Sequence, residues 1–310
     1  MTSTLIITGG TGLIGRHLTR EWLKTGGNVH ILTRYPGHYQ LEERVRYFGW
    51  DWKKKQIDPA VFEGAGVLVH LAGANIGAHR WTEKYKAEIA GSRILSLKFL
   101  GEYMRQHHIR PDYFAGASAI GYYGCLTDNI PRKETDPPGN DFLARLVTAW
   151  EKESMRMREI AEKTSILRTG VVFDPDEGAL PEMLRPLRWK MPVILGSGHQ
   201  YINWIAAEDI ARAYVFAIRH SLEGVYNAVS PAPVTYRQFI RTAAGLMRLP
   251  CCLPRVPGKL LKLLLGEMAC LVTEGMPVSA EKLAGAGFQW SCPELEEYLR
   301  KFIIYKNKKA

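Results

Sequence analysis

The apolar positions of this chain switch between two patterns. Thr4-Leu5-Ile6-Ile7-Thr8 is a continuous β-branched run and predicts a buried strand. Leu13, Ile14, Leu18, Trp22 and Leu23 then recur at helical spacing, and Gly26-Gly27 supplies the stop. Val29–Thr33 and Val45–Gly49 predict the next strands, and Gly66–Leu71 a fourth. A long helical stretch covers Thr82–His107. Tyr113–Ala117 reads as a fifth strand, Phe142–Ala161 as a helix and Ser165–Arg168 as a sixth strand. Strands alternating with helices predict an α/β fold, a doubly wound parallel sheet covered on both faces. After Pro231 the chain turns to helical segments near Thr235–Met247, Pro257–Leu265, Ser279–Ala284 and Pro293–Phe302, with prolines between them. The expected division is a sheet domain at 1–230 and a smaller, mostly helical portion at 231–310.

Composition narrows the class. The 310 residues are 46% apolar and 23% charged, near the soluble globular average, which excludes a disordered or collagen-like chain. Leu260–Val272 is the most apolar long stretch, but its 13 residues include Lys262 and Glu267. A bilayer span needs ~20 residues, so this stretch reads as a buried or amphipathic helix and no membrane partner is expected. The N-terminus carries neither a charged leader nor a cleavable apolar run. The five cysteines, Cys125, Cys251, Cys252, Cys270 and Cys292, are odd in number and form no C-x-x-C. Neither a disulfide framework nor a metal site is expected, and a reducing cytoplasm fits best.

The net charge is +10, but only Lys53-Lys54-Lys55 and Lys306, Lys308 and Lys309 form short runs, both read as solvated faces. No recognition motif accompanies the charge, so no nucleic-acid partner is expected. A basic balance suits an anionic small molecule such as a phosphorylated cofactor.

Gly9-Gly10-Thr11-Gly12-Leu13-Ile14-Gly15 gives G-x-x-G-x-x-G between a strand and a helix. Glycine there lets the backbone turn sharply and approach a pyrophosphate, which the N–H groups of the helix start then meet. The plainer alternative is a glycine turn with no ligand. The second strand ends in Leu32-Thr33-Arg34, with no carboxylate to hold a ribose 2′-hydroxyl. Arg34 suits a 2′-phosphate instead, which favours NADP over NAD.

These residues resemble the extended short-chain dehydrogenase/reductases, the NAD-dependent epimerase/dehydratase superfamily. The likeness includes Gly9–Gly15, His70-Leu71-Ala72-Gly73, Ser118, Leu167-Arg168-Thr169-Gly170, and Gly196–Tyr201 with Trp204-Ile205 and Glu208-Asp209-Ile210. Arg80-Trp81-Thr82, Ser92-Arg93, Gly121-Tyr122-Tyr123-Gly124 and the C-terminal helices narrow it to an atypical subgroup, the nucleoside-diphosphate-sugar epimerases with an extra C-terminal helical domain. The resemblance implies a Rossmann-type fold in which Gly9, Thr11, Gly12, Leu13, Ile14 and Gly15 wrap the pyrophosphate. It gives Thr33 and Arg34 the adenosine ribose phosphate. Leu71, Ala72 and Gly73 then line the cofactor, Glu88 and Arg93 approach the nicotinamide ribose, and Val172 lies near the nicotinamide. A surface ion pair is the competing reading of Glu88 and Arg93.

One departure bears on chemistry. The superfamily works with Ser/Thr and Tyr-x-x-x-Lys, the lysine lowering the phenol pKa so that a proton moves with the hydride. Ser118 fits the serine. Counting back from Glu151 puts the tyrosine at Leu143 and the lysine at Val147, neither of which exchanges a proton. The one Tyr-x-x-x-Lys, Tyr305…Lys309, reads as chance. Tyr122 and Tyr123 are the phenols nearest Ser118, and His199 is a weaker acid/base candidate. Asn75, Arg80, Trp81, His199, Gln200 and Trp204 are the expected substrate wall. The expected function is an NADP-dependent oxidoreductase or epimerase acting on a sugar nucleotide or related small molecule. The alternative is a dinucleotide-binding regulatory protein with little or no turnover, linked to cell division.

Overall fold

The computed structural model describes residues 4–40, 42–250 and 254–309, with 303–309 described by backbone only. Cys251 and Cys252 lie outside the described residues, and the side chains of Tyr305, Lys306, Lys308 and Lys309 are likewise not described. The main sheet has eight strands: β1 (Thr4–Thr8), β2 (Asn28–Thr33), β3 (Val45–Asp51), β4 (Gln56–Ile57), β5 (Ala65–His70), β6 (Tyr113–Ala119), β7 (Lys163–Thr169) and β8 (Gly224–Ala228). Their order is β8-β7-β6-β5-β1-β2-β3-β4, and every neighbouring pair is parallel except β3 with β4. From β1 the chain winds through β2 and β3 to one side, then returns to β5 on the other. The crevice at the carboxyl ends of β1 and β5 is thus the topological switch point, where doubly wound sheets bind ligands.

The alternation of Cβ direction along β1 sorts its residues between two cores. Leu5 and Ile7 pack with Leu18, Trp22, Val29, Ala211 and Tyr214, under helices α1 (Leu13–Leu23) and the later Ala207–Arg219. Ile6 packs with Leu68, Leu97, Leu100 and Phe114 on the opposite face, under α2 (Glu83–Gln106). Both faces are covered, which is why these strands read as continuous apolar runs. A third core joins chain on both sides of Pro231: Phe173, Leu184 and Trp204 pack with Phe239, Ile240, Leu295 and Leu299.

Two expected helices differ. The helix expected over Phe142–Ala161, here α3, ends at Met155 and tightens into a 3-10 turn over Arg156–Glu159. That turn drops Met157, Ile160 and Ala161 into the α2-side core just before β7 begins. The apolar stretch Leu260–Val272 is not one helix. It breaks at Gly266, whose φ of 63° lies in the left-handed region. Helix Gly258–Leu265 precedes the break, and a 3-10 turn and the short helix Cys270–Thr273 follow it. The stretch is amphipathic rather than buried: Leu261 and Ala269 are covered, whereas Leu263 is 76% exposed. Among the described residues no helix is long and apolar enough to cross a membrane.

Candidate dinucleotide and active site

The glycine turn joins β1 to α1 at the switch point. Gly9, at φ 72°, passes so close under β5 that a Cβ there would meet the backbone of Leu71 and Ala72 at 2.9 Å. A Cβ on Gly15 would lie 2.5 Å from Gly10 Cα, so Gly15 serves the packing of the turn on its helix. Gly12 is different. Its Cβ would meet only Gly9 O, at 3.4 Å, an ordinary contact beside open space. The fold does not demand glycine there, but a ligand lying against the turn would. Gly12 is also the N-cap of α1, with no side-chain cap and no acidic residue in the first turn. Those first N–H groups lack intrahelical partners and carry the positive end of the helix dipole.

Other expected cofactor residues gather around this turn. Leu71 N–H donates to Thr8 O at 3.0 Å, and Ala72 N–H to Thr8 Oγ1 at 3.3 Å, tying the end of β5 to β1. Thr8 Oγ1 also lies 2.8 Å from Nδ1 of the fully buried His70. Burial pulls the His70 imidazole down to about 4, so it is neutral at pH 7. Gly178, at the start of helix α4 (Ala179–Arg188), packs against Leu13 and lies near Val172 O, bringing these two together above the turn. Arg34, at the end of β2, is exposed and forms no ion pair among the described residues. Arg93 lies tightly beneath Gly73, donates to Ile89 O at 3.1 Å and lies over the Trp150 ring at 5.3 Å. It has no carboxylate partner among the described residues. Burial lowers the guanidinium to about 10, still charged at neutral pH. Glu88 pairs with Lys53 at 2.9 Å, so the Glu88–Arg93 pair does not form.

Ser118, at the end of β6, is 4% exposed and donates to Glu151 Oε1 at 2.5 Å. Glu151, on α3, is clamped by Arg168 of β7 through two bonds, Nε to Oε1 at 2.8 Å and Nη2 to Oε2 at 2.9 Å. Arg168 Nη1 donates to Tyr123 Oη at 2.9 Å, and Tyr123 in turn donates to Asn227 Oδ1 at 2.8 Å. Burial pushes the Tyr123 phenol up to about 12, against the opposing pull of Arg168. Tyr122 is partly exposed. Its ring lies 3.4 Å from Arg168 Cζ, and its hydroxyl makes no hydrogen bond among the described residues. The two tyrosine rings meet edge to face at 5.4 Å. The sequence assigns Glu151, Arg168 and Asn227 no site role, although Arg168 stands in the Leu167–Gly170 stretch. The signal was an arginine inside the apolar strand Ser165–Thr169, which burial obliges to find a carboxylate.

Residues 5–228 match the model of the NAD dependent epimerase/dehydratase family. The chain belongs to that family. Residues 256–302 match a domain of unknown function, DUF1731. Epimerase family protein YfhF of Bacillus subtilis (strain 168) is 31% identical over 300 residues, covering 96% of this chain and 97% of that protein. Among solved structures, human epimerase family protein SDR39U1 (isoform 2) with NADPH is 26% identical, with a TM-score of 0.82 over 96% of this chain and 98% of the human one. A nucleoside-diphosphate sugar epimerase from Corynebacterium glutamicum is 25% identical, with a TM-score of 0.72 over 96% of this chain and 57% of that one.

Within this family member, Leu143 and Val147 are buried and pack against Gly121 of the tyrosine loop. The residues expected at the substrate wall divide. Asn75, Arg80 and His199 are exposed, and Trp81 is partly so. Trp81 Nε1 donates to Ile76 O at 2.9 Å. Gln200 is buried, and its amide donates to Leu195 O at 2.9 Å and Val272 O at 2.7 Å. Trp204 is 0% exposed and stacks on Phe173 in the third core, out of reach of a ligand.

A C-terminal strap, residues 266–279, crosses these loops. Glu267 pairs with Lys86 at 2.8 Å, and Gly266 lies against the Arg80 guanidinium. Gly275 O accepts from Tyr201 N–H at 3.0 Å, and Pro277 O accepts from Arg132 N–H at 2.9 Å.

Proposed function

We propose that the chain binds NADP at the β1/β5 crevice and acts as an oxidoreductase or epimerase on a sugar nucleotide or related small molecule. The observation that carries this reading is a pair of arginines, Arg34 and Arg93, that have no carboxylate partners among the described residues, together with a glycine turn that stays open at Gly12. Gly9, Thr11, Gly12, Leu13, Ile14 and Gly15 would hold the pyrophosphate, with Thr33 and Arg34 on the 2′-phosphate. Leu71, Ala72, Gly73 and Val172 would line the rest, and Arg93 would meet a cofactor oxygen. Glu88, held outward by Lys53, contributes least. The bound human relative, with NADPH, agrees with this choice of cofactor. Residues 1–230 carry the cofactor, and 231–310 cover the substrate side.

The nicotinamide, when bound, supplies hydride transfer. The chain supplies orientation and a proton. Tyr123 is committed inward, so Tyr122 is the phenol left to exchange a proton with substrate. Ser118 and Glu151 fix the floor beneath it. Asn75, Arg80, Trp81 and His199 form the polar rim, which Gln200 supports from behind. A sugar nucleotide suits that rim and fits the Corynebacterium relative.

A second reading is a dinucleotide-binding regulatory protein with little turnover. It is favoured by the apolar pair Leu143 and Val147 and by the inward bond of Ser118. Incubation with NADP or NADPH and a panel of nucleoside-diphosphate sugars, following nicotinamide absorbance and epimer composition, separates the two. Turnover that Tyr122→Phe removes supports the enzyme. Tight binding without turnover of any member supports the regulator.

A further inference from the structure

Two thiols meet where the tyrosine loop touches the C-terminal strap. Cys125 lies two residues beyond Tyr123, and Cys270 opens the short helix Cys270–Thr273. The Cys270 side chain is close enough to act on the Cys125 thiol, both are partly exposed, and neither belongs to a disulfide. The backbone around each is braced. Cys125 N–H donates to Asp141 Oδ2 at 2.5 Å. Thr127 Oγ1 donates to Glu274 Oε2 and accepts from Gly275 N–H at 3.2 Å. Glu274 N–H in turn donates to Cys270 O at 3.0 Å. Cross-contacts within five residues of each cysteine therefore hold the two segments together.

We propose that Cys125 and Cys270 form a reversible thiol–disulfide site that fastens the C-terminal strap to the tyrosine loop. The oxidant is a small-molecule disulfide. The Cys270 thiolate attacks one of its sulfurs; that S–S bond breaks, one thiolate leaves, and a mixed disulfide remains on Cys270. Cys125 then gives up its proton, and its thiolate attacks Cys270 Sγ, expelling the second thiolate. Two protein thiols lose two electrons in all. The small disulfide gains them and takes up the two protons as it becomes two thiols. Cys270 goes first because the Cys125 thiol is pushed up by the neighbouring Cys270 side chain, by burial, and by Asp141 and Glu274. The site stands apart from the cofactor reading.

The test uses the full chain incubated with glutathione disulfide, blocked with N-ethylmaleimide and digested with trypsin. Cys270 falls on the peptide 263–282, apart from Cys251 and Cys252 on 249–255 and from Cys292 on 283–300. The expected product is the 263–282 peptide joined to the Cys125 peptide and lighter by two hydrogens. Dithiothreitol separates them. Amide exchange over residues 266–276 should then slow at least about tenfold relative to reduced protein. Cys270→Ser should show neither the joined peptides nor the slowing, while melting like the reduced parent. A stable glutathione adduct at Cys270, a bridge from Cys270 to another cysteine, two unmodified thiols, or a bridge that leaves exchange unchanged would each overturn the proposal. The mapping on the unmutated chain needs no variant to fold.

Discussion

The Ser118 hydroxyl donates to Glu151 Oε1 at 2.5 Å, and Arg168 Nε reaches the same oxygen at 2.8 Å. A serine at the end of a central strand is thereby bonded inward, to an ion pair between α3 and β7. Both charges of that pair are buried, and each satisfies the other through two bonds. Removing one partner leaves a buried charge without compensation, so Glu151→Ala and Arg168→Ala should each cost about 3–5 kcal/mol. Replacing both together by Leu and Met should cost less than the sum. Urea unfolding of the four proteins checks this. Single losses below about 1 kcal/mol would show that the pair is not structural.

The adjacent tyrosines should separate by stability alone. Tyr123→Phe strands Asn227 Oδ1 and leaves Arg168 Nη1 only a long bond to Glu134 O at 3.5 Å, and an unpaired buried polar group costs about 1–3 kcal/mol. Tyr122→Phe removes a hydroxyl with no partner among the described residues and should be nearly neutral. Thermal melts of both variants decide it. Equal losses would contradict the assignment of Tyr122 as the available phenol.

Within the glycine turn, Gly12→Val and Gly15→Val should fail differently. At Gly12 the new side chain enters open space, so the fold should lose only about 1 kcal/mol, the cost of a poor N-cap. NADPH binding should vanish. At Gly15 the Cβ would overlap Gly10 and Gly9, so Gly15→Val should lower the melting temperature by several degrees. A Gly12→Val protein that binds NADPH as the parent does would make the turn merely structural.

His70 gives a pH dependence. Its folded pKa of about 4 lies below the unfolded value of about 6.5, because burial disfavours the imidazolium. Between these values the unfolded chain binds more protons than the folded one. The His70 contribution is therefore whole above pH 6.5 and lost as pH falls toward 4. Between pH 7.5 and pH 5 it amounts to about 2 kcal/mol. His70→Gln should flatten the unfolding free energy over that interval by this amount. An unchanged slope would mean that His70 is not held neutral.

The sheet was legible because parallel strands covered on both faces leave continuous apolar runs, as in Thr4–Thr8 and Gly66–Leu71. Two- and three-residue ladders such as Trp204–Ala206 against Val171–Phe173 were not, since so few residues carry no period. The helix over Leu260–Val272 was misread because composition hides a backbone break that rests on the φ of Gly266 alone. At the site, the glycine turn and Arg34 could be located from the sequence, because each lies where its own strand ends. Ser118 and Tyr123 could not. Their commitment depends on Glu151, Arg168 and Asn227, which only the packing of α3, β7 and β8 brings together. Trp204 sits in a loop-like sequence context, yet Phe173 and Phe239 draw it into a core.

The central claim is that Arg34 and the open glycine turn form an NADP site. Titration of NADPH and NADH against the parent and Arg34→Ala, followed by nicotinamide fluorescence or calorimetry, tests it most directly. A charge-assisted hydrogen bond contributes about 1.5–3 kcal/mol, so Arg34→Ala should weaken NADPH by roughly 10- to 150-fold and leave NADH nearly unchanged. The parent should bind NADPH more tightly than NADH by a similar factor. Equal losses for the two dinucleotides, or a parent that binds neither, would contradict the account.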